Sequence, residues 1–293
     1  MIRVQVAATC NNSCVFCAQA GRFDAADATR IAQGPHGVDA VGSPVGVAPL
    51  DPGHLARGVD ARLKALSKSA EPVMLIGGEP TLDPALCEYV RRLAAGGAAV
   101  VLQTNARLLG CRVDAAGAVA SQGDATLAEA LKGAGLTAVE VALYGSTAAL
   151  HDYHTRCPGS FRQTVSGVRA SRSAGLRCAL TTLVTRSNYR HLAELVRLGH
   201  ALGVVALAIR SVLPEGRAAG SQGLQPPRQM LAPHLRAAQQ LGRQLGLELL
   251  IEPASADNYT DSSTGAGSES ISLQKLVSRQ QAAPRTGEWA AQA

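Results

Sequence analysis

Aromatic side chains are scarce in this chain of 293 residues: Phe, Tyr and Trp make up only 3% of it, although 46% of the residues are hydrophobic. A buried core must therefore consist mainly of Ala, Val and Leu. No apolar run approaches the ~18 residues that a membrane span needs. The first residues, Met1 to Val6, alternate like a strand and lack the apolar segment of a signal peptide. We expect a cytoplasmic protein with no membrane partner.

A large excess of charge of one sign is also lacking. The net charge is +6 and is spread along the chain. Arginine groups such as Arg169, Arg172 and Arg177 have the spacing of solvated helix faces or loops, which argues against nucleic acid as a partner. This mild charge is the only feature that supports a role in tRNA modification. An acidic or phosphorylated substrate stays open.

Disulfides are not indicated either, because the seven cysteines occur in a chain without a secretory signal. Three of them, Cys10, Cys14 and Cys17, are crowded into one Asn/Ser-rich segment. Unrelated core cysteines would have no reason to gather in such a segment. The clustering therefore predicts a metal or cluster site.

Short apolar segments alternate with helical patterns along the chain. The apolar segments are nearly continuous, as strands buried on both faces should be: Ile2–Ala7, Val73–Ile76, Ala99–Gln103, Ala138–Leu143, Cys178–Val184 and Val204–Ile209. Alternation of strands and helices requires parallel strands with right-handed crossovers. The sequence therefore predicts an α/β fold, a partial (β/α)6 TIM-type barrel with outer helices, although a doubly wound open sheet fits the same periodicity.

Two regions interrupt this alternation. Residues 21–50, rich in Ala, Gly, Asp and Pro, are expected to form an irregular insertion, and residues 253–293, rich in Ser, Thr, Gln and Gly, a flexible tail. Pro226–Gly246 is expected to be a helix and Leu247–Ile251 a strand. These assignments predict a core domain over residues 1–217 and a helix–strand extension over residues 218–252.

The cysteine triplet has the spacing C-x3-C-x2-C and directly follows the first predicted strand. A short loop with this spacing can aim three thiolates at one soft-metal site. Three ligands for four irons would leave one iron open to another molecule. The alternative is a zinc site with a fourth ligand from elsewhere, such as His36.

A glycine-rich segment, Leu75-Ile76-Gly77-Gly78-Glu79-Pro80-Thr81, follows the second predicted strand. Two glycines let the backbone approach a ligand closely and expose N–H and C=O groups. Glu79 offers a carboxylate to a cationic group. An amino acid with a free ammonium group would suit this segment.

Together the two motifs resemble the signature of the radical S-adenosylmethionine (SAM) superfamily, in which a C-x3-C-x-aromatic-C loop and a GGE segment follow the first two strands. The resemblance implies a [4Fe–4S] cluster held by Cys10, Cys14 and Cys17. It also implies that Phe16 packs near the adenine of SAM. The methionyl amino group of SAM would then bind at the segment Gly77, Gly78 and Glu79.

Further segments at predicted strand ends occur in the order typical of this family. Gln103-Thr104-Asn105 resembles its TNG turn, with Ala106 replacing the glycine, and Val141-Ala142-Leu143-Tyr144-Gly145 resembles its SLDG or SLYG segment. His151–Phe161 and Arg210–Gly216 resemble its HD…PGSF and R…P.G segments. Asn105 is expected at the cofactor site, and Arg210 is expected to pair with a carboxylate of SAM or substrate.

The remaining candidates are less directly tied to these motifs. Tyr144 and Cys157 lie near predicted strand ends and are the candidate catalytic residues, with core packing and a plain loop thiol as their alternatives. Asp152 between two histidines is expected to cap a helix rather than to bind a metal. Cys87 and Cys178 are expected to be small core residues.

The resemblance covers about Met1–Arg217 and is closest to the branch that contains GTP 3′,8-cyclase, haem-d1 maturases and peptide-modifying maturases. It implies reductive cleavage of SAM at a single cluster, since no cysteine follows Cys178, and hydrogen abstraction from a peptide or cofactor-precursor substrate. It also implies an external electron donor of the flavodoxin or ferredoxin type. A tRNA-modifying enzyme and a metal- or cluster-binding scaffold without catalysis are the alternatives.

Overall fold

The computed structural model describes residues 1–19, 59, 61–66, 71–114, 119–120, 123–221 and 223–252. The predicted insertion at 21–50, the predicted tail at 253–293 and His36 lie outside these described residues. No helix within the described ranges is both long enough and apolar enough to cross a bilayer.

The described residues contain nine strands: β1 (Ile2–Ala7), β2 (Val73–Gly77), β3 (Val100–Thr104), β4 (Arg112–Val113), β5 (Ala125–Thr126), β6 (Leu136–Ala142), β7 (Arg177–Val184), β8 (Ala206–Ser211) and β9 (Glu248–Glu252). Seven of them form one sheet in the order β1-β2-β3-β6-β7-β8-β9, and every neighbouring pair in it is parallel. The strands β4 and β5 form a separate antiparallel pair. All six predicted barrel strands are confirmed, and β9 extends the sheet beside β8.

Helices connect the strands: α1 (Leu86–Ala95), α2 (Leu127–Gly133), α3 (Ala148–Thr155), α4 (Ser160–Ser173), α5 (Leu192–Ala201) and α6 (Arg228–Leu245). Residues 61–66 are also helical, and Leu63 of this stretch is fully buried. Thr126 and Glu129 form a capping box that starts α2. The helix predicted over Pro226–Gly246 is observed as α6 and ends at Gly246, whose φ is 68°.

The two faces of the sheet differ in what covers them. Outward side chains such as Leu75, Leu102 and Leu180 join residues from α1, α2, α4, α5 and α6 in the main core. The inward side chains form a second, small cluster that contains buried residues of strands only: Met74, Ile76, Val101, Ala138, Ala179 and Ala206. Helices therefore cover one face of the sheet, as in a partial TIM-type barrel and not as in a doubly wound sheet.

The inner face becomes polar toward the carboxyl ends of the strands. Because side chains alternate across a strand, Gln103, Glu140, Thr181 and Arg210 lie on the same face as the small inner cluster. The loops that follow β1, β2, β3 and β6 start at this edge. The fold thus gathers the predicted motifs at the carboxyl edge of the sheet, where barrel enzymes place their chemistry.

Candidate active site at the carboxyl edge of the sheet

The cysteine loop, residues 8–18, leaves β1 at this edge. Cys10 is exposed, whereas Cys14 and Cys17 are partly buried. The Cys17 N–H donates to the Cys14 carbonyl oxygen at 3.2 Å, and the Asn12 N–H donates to the Cys10 sulfur at 3.4 Å. The three thiols therefore lie on one compact, turn-rich segment.

The three thiols influence one another electrostatically. Burial raises the pKa of Cys14 to about 12, the Cys17 and Cys10 thiols add to this rise, and the Arg217 guanidinium opposes it. Burial also raises the pKa of Cys10, while Arg107 acts against the rise. A thiol binds metal only as thiolate and releases its proton when the metal arrives. Iron binding must therefore displace protons that burial holds on these thiols, and the two arginines favour the thiolate form.

Gly77 and Gly78 pack against the start of the cysteine loop. A Cβ atom on Gly77 would lie 2.5 Å from the Ala7 carbonyl oxygen, and one on Gly78 would lie 2.3 Å from the Thr9 carbonyl oxygen. The N–H groups of Gly78 and Glu79 donate to these same two oxygens at 3.0 and 2.8 Å. The glycines thus permit close contact between two backbone segments, and these two N–H donors are occupied within the chain rather than exposed to a ligand as the sequence suggested.

The Glu79 carboxylate lies 1% exposed between the ends of β2 and β3. It accepts hydrogen bonds from the Thr81 hydroxyl (2.7 Å) and N–H (3.1 Å), the Thr104 hydroxyl (2.5 Å) and the Asn105 N–H (2.7 Å). Burial raises the pKa of Glu79, and these hydrogen bonds act in the opposite direction. The sequence suggested a carboxylate offered to a cation; in the folded chain this carboxylate joins the ends of two strands.

The turn after β3 holds the cysteine loop from a second side. Asn105 Nδ2 donates to Asn11 Oδ1 at 2.6 Å. Arg107 Nη1 donates to Asn12 Oδ1 at 2.8 Å and also to the Asn11 carbonyl oxygen. Ala106, which replaces the motif's glycine, has a φ of 62°, in the left-handed region. The loop is therefore fixed by two neighbouring side chains of a strained turn.

The carboxyl end of α3 holds the loop from a third side. The Ser13 N–H donates to the Thr155 carbonyl oxygen and the Val15 N–H to the His154 carbonyl oxygen, both at 2.9 Å. These carbonyl groups belong to the last turn of α3, which lacks partners within the helix. The helix end and the loop therefore satisfy each other.

The segment after β8 holds the loop from a fourth side. The Arg217 N–H donates to the Cys17 carbonyl oxygen at 3.0 Å, and its Nη1 donates to the Cys14 carbonyl oxygen at 3.0 Å. A Cβ atom on Gly216 would lie 2.2 Å from the Cys17 oxygen. This contact was not foreseen from the sequence, because it joins positions about two hundred residues apart.

An aromatic cluster lies beside the cysteine loop. The ring of Phe16, 3% exposed, lies 4.7 Å from the Tyr144 ring and 5.7 Å from the His154 ring. The Tyr144 ring stacks on His151 at 5.7 Å. Burial raises the pKa of Tyr144 well above its usual value, and the three cysteine thiols, Cys14 first, add to it. A chain with few aromatic residues thus concentrates four rings next to its thiols.

His151 holds the backbone of this aromatic cluster in place. Its Nδ1 accepts a hydrogen bond from the Tyr144 N–H at 3.1 Å, so Nε2 carries the proton in the neutral ring. Burial lowers the pKa of His151 to about 4, and the neighbouring Asp152 only partly offsets this. His151 is therefore a neutral, buried acceptor that fixes the backbone of Tyr144.

A cavity of about 270 Å³ adjoins the aromatic cluster, lined by residues between Val212 and Gln225. Phe16 packs directly on Val212 and Ala218 of this wall. The wall is largely apolar, with Ser221 and Gln225 as its polar members. Phe16 thus packs the cysteine loop against the wall of an apolar recess.

Arg210, expected to pair with a carboxylate of SAM or substrate, pairs within the chain. Its Nη1 donates to Glu140 Oε1 at 2.6 Å and to Thr181 Oγ1 at 3.1 Å, and Gln103 Nε2 donates to the same Glu140 oxygen at 3.1 Å. Glu140 was missed in the sequence, although a lone acidic residue within the apolar strand Leu136–Ala142 was the available signal.

The segment after α3 contains Cys157, one of the candidate catalytic residues. Cys157 is partly buried in the turn that joins α3 to α4.

Asp152 of α3 accepts hydrogen bonds from the Gly159 N–H, the Ser160 hydroxyl and the Phe161 N–H at 2.7 to 2.8 Å. It therefore caps the start of α4, as expected.

The other cysteines fit the predicted division. Cys87 and Cys178 are buried members of the main core. Cys111 is partly buried in the turn before β4.

The cysteine loop offers three thiols as a donor set. Within the part of the chain that the structure describes, no group of three or more His, Cys, Asp and Glu side chains could hold one metal ion. In a [4Fe–4S] cluster each thiolate binds a different iron, so the sulfurs need not converge on one point. The three thiols of the cysteine loop, with Arg107 and Arg217 close to them, therefore suit an anionic cluster.

Comparison with known proteins agrees with this geometry. The chain is 29% identical over 157 residues to an AdoMet-dependent heme synthase of Methanosarcina barkeri, covering 53% of this chain and 41% of that protein. It is 25% identical over 219 residues to a probable GTP 3′,8-cyclase of Metallosphaera sedula, covering 73% and 56%. The chain thus spans about two fifths to somewhat over half the length of these relatives.

Solved structures show the same fold. The structure of Streptococcus suis SuiB bound to S-adenosylmethionine superimposes with a TM-score of 0.56 at 13% identity, covering 86% of this chain and 51% of that chain. The sequence model of the Radical SAM superfamily matches residues 4–199, which include the cysteine loop and strands β2 to β7. The chain therefore belongs to the radical SAM superfamily, whose members use a [4Fe–4S] cluster and SAM.

Proposed function

We propose that Cys10, Cys14 and Cys17 hold a single [4Fe–4S] cluster with which this chain cleaves SAM and abstracts a hydrogen atom from a peptide or cofactor-precursor substrate. The observation that carries the proposal is the support of the cysteine loop from four sides. Gly77–Gly78, the turn after β3, α3 and Arg217 each hold it at the mouth of the barrel. Such support keeps three thiolates in place for binding iron.

The bound cofactors supply the electron that breaks the S–C5′ bond of SAM and the adenosyl carbon that takes the hydrogen atom. The residues of the chain bind, orient and shield. Phe16 and the apolar recess at Val212 offer a surface for the adenine ring. Tyr144, held by His151 and by Asn188 Nδ2 at 3.0 Å, closes the site from the side of β6. Burial of these rings helps to keep water from the reacting atoms.

The proposal of one cluster is supported by the positions of the other cysteines. Cys87 and Cys178 are buried in the core on α1 and β7, and Cys111 and Cys157 lie in two separate turns. Residues 179–293 contain no cysteine. Within the printed sequence, a second set of clustered thiols is therefore absent.

The proposed substrate class is supported by the polar groups on the inner face of the barrel and by the names of the relatives. Ala138, Ala179 and Ala206 line this face where the outer face has larger residues. Closer to the carboxyl ends of the strands, the same face carries Gln103 and the Glu140–Arg210 pair. The names of the relatives, a heme synthase and a probable GTP cyclase, favour a cofactor precursor. SuiB has been solved with its precursor peptide SuiA, which keeps a peptide in the proposal.

The test is formation of 5′-deoxyadenosine after anaerobic reconstitution with iron and sulfide, with SAM and excess dithionite. We expect one brown chromophore per chain and production of 5′-deoxyadenosine and methionine. A cluster-loaded chain that forms neither would overturn the enzymatic proposal and leave a binding scaffold. Transfer of deuterium from a labelled candidate substrate into 5′-deoxyadenosine would then identify the substrate class.

A further inference from the structure

We propose that the outer surface of α3, centred on Tyr153 and Arg156, is the docking site for an acidic one-electron donor protein. This inference rests on the proposed function, because a chain that cleaves SAM reductively must receive an electron from outside. It adds the surface at which the donor protein delivers the electron and the sign of that protein's charge.

The first argument is the direct connection between α3 and the cysteine loop. The last two carbonyl groups of α3, those of His154 and Thr155, accept the N–H groups of Val15 and Ser13 at 2.9 Å. Both donors lie next to Cys14 in the chain. The end of α3 is therefore in direct backbone contact with the residues on both sides of Cys14.

A continuous set of rings joins the same surface to the loop. The Tyr153 ring lies edge-on to the His154 ring at 5.1 Å, and the His154 ring lies 5.7 Å from the Phe16 ring. Phe16 precedes Cys17 directly. His154 is fully buried, and its Nδ1 donates to the Leu150 carbonyl oxygen at 2.7 Å, so this layer is rigidly held. The rings of Tyr153, His154 and Phe16 therefore connect the outer surface to the cysteine loop.

The second argument is the exposure of Tyr153. Its side chain is 55% exposed, the highest value among the large hydrophobic residues that the structure describes as exposed. The other rings of the cluster, Phe16 and His154, are buried. A solvent-exposed tyrosine beside a buried functional segment is typical of the central residue of a binding interface.

The third argument is the charge around Tyr153. Arg156 is exposed one turn further along, and Arg162 and Arg186 are exposed on the two adjoining segments. Arg186 follows Thr185, whose hydroxyl contacts His154 Nε2 at 2.8 Å. Asp152 of α3 caps α4 through both carboxylate oxygens and keeps its negative charge, so that the three arginines and this one carboxylate sum to +2. The surface is therefore positive and fits an acidic partner.

The electron count is simple. One electron leaves the reduced donor protein, which is oxidised by one electron, and the sulfonium of SAM is reduced as its S–C5′ bond breaks. Methionine leaves with the electron pair on sulfur, and the adenosyl carbon takes a hydrogen atom from the substrate. Proteins of the flavodoxin type supply electrons one at a time, and an acidic flavodoxin is the probe.

The experiment compares two charge reversals in the reconstituted full chain, Arg156→Glu on α3 and Arg197→Glu on the exposed surface of α5. With reduced flavodoxin as donor, we expect Arg156→Glu to slow formation of 5′-deoxyadenosine about tenfold and Arg197→Glu to leave it unchanged, since steering depends on charges at the docking surface. Added salt should slow the flavodoxin reaction of the unmodified chain. With excess dithionite, all three proteins should react alike.

A further variant guards against misfolding. Arg156 has a φ of 53°, so Arg156→Gly removes the charge at a position where glycine is favoured and should fold at least as well. An unchanged flavodoxin-driven rate in both Arg156 variants would overturn the docking site while leaving the proposed function intact. Failure of the unmodified chain to react with dithionite would instead overturn the proposed function.

Discussion

Arg210 donates to the Glu140 carboxylate at 2.6 Å across the inner face of the barrel, and the two side chains are 13% and 3% exposed. Removing one member of a buried ion pair leaves the other charge unpaired, which costs about 3–5 kcal/mol. Glu140→Leu should therefore lower the free energy of unfolding by about that amount. The double variant Glu140→Leu/Arg210→Met should lose less than the single variant. Denaturant unfolding of the unmodified chain, the two single variants Glu140→Leu and Arg210→Met, and the double variant measures this cycle, and additive losses would contradict it.

His151 makes stability depend on pH. Its pKa is about 4 in the folded chain against an ordinary value of 6.5, because it is buried. Between these values the unfolded chain binds a proton that the folded chain does not, so the free energy of unfolding falls as the pH falls. We expect a loss on the order of 2 kcal/mol between about pH 7 and about pH 5.

The matched variant is His151→Asn, whose side-chain oxygen can still accept the Tyr144 N–H. The variant retains His154, but the asparagine at position 151 cannot titrate in this range. Urea unfolding of the apo chain under reducing conditions should show a clearly weaker pH dependence in the variant. Equal pH dependence in both proteins would show that His151 is not the titrating group.

Ala106 occupies a backbone conformation that favours glycine, with a φ of 62°. Ala106→Gly relieves about 1–2 kcal/mol of left-handed strain, which offsets the loss of a buried methyl group worth about 0.8 kcal/mol and the greater entropy of the unfolded chain. The expected change in stability is below about 1 kcal/mol. Ala130→Gly, in the middle of α2, should cost about 1 kcal/mol without any compensation. A larger loss for Ala106→Gly than for Ala130→Gly would refute this account.

Arg107 holds the cysteine loop through Asn11 and Asn12. Arg107→Met removes charged hydrogen bonds worth about 1.5–3 kcal/mol and should free this part of the loop. We expect lower iron content after reconstitution and faster loss of iron to a chelator. Arg162→Met, which removes an exposed arginine from α4, is the control and should retain iron like the unmodified chain. Equal iron retention by Arg107→Met and Arg162→Met would mean that the contacts of Arg107 with the loop are not needed to hold iron.

The strands could be predicted because strands buried on both faces are almost continuously apolar. Their ends were less certain where polar residues interrupt the run: the strand expected at Ala138 starts at Leu136, two residues earlier, despite Thr137. Asn188 is of a residue type that often caps helices, but its side chain binds the Thr185 N–H and the carbonyl groups of Tyr144 and Leu183 instead of α5. Local patterns predict elements, whereas tertiary contacts decide which group a polar side chain binds.

The site shows the same division. The cysteine loop and Gly77–Gly78 could be located because their chemistry is local to a few adjacent residues. The hydrogen-bond partners of Glu79, Arg107 and Arg210 could not be predicted. Each of these side chains binds a residue that is distant in the sequence and comes close only when the barrel has formed. Long-range side-chain pairs of this kind leave no spacing in the sequence.

The central claim is tested most directly by iron content and absorbance near ~400 nm in four single variants reconstituted side by side. Cys10→Ala, Cys14→Ala and Cys17→Ala should each lose the chromophore and the formation of 5′-deoxyadenosine. Cys178→Ala, which removes a thiol from the buried core, should retain both. A variant lacking all three loop thiols that kept the absorbance and still cleaved SAM would contradict the assignment.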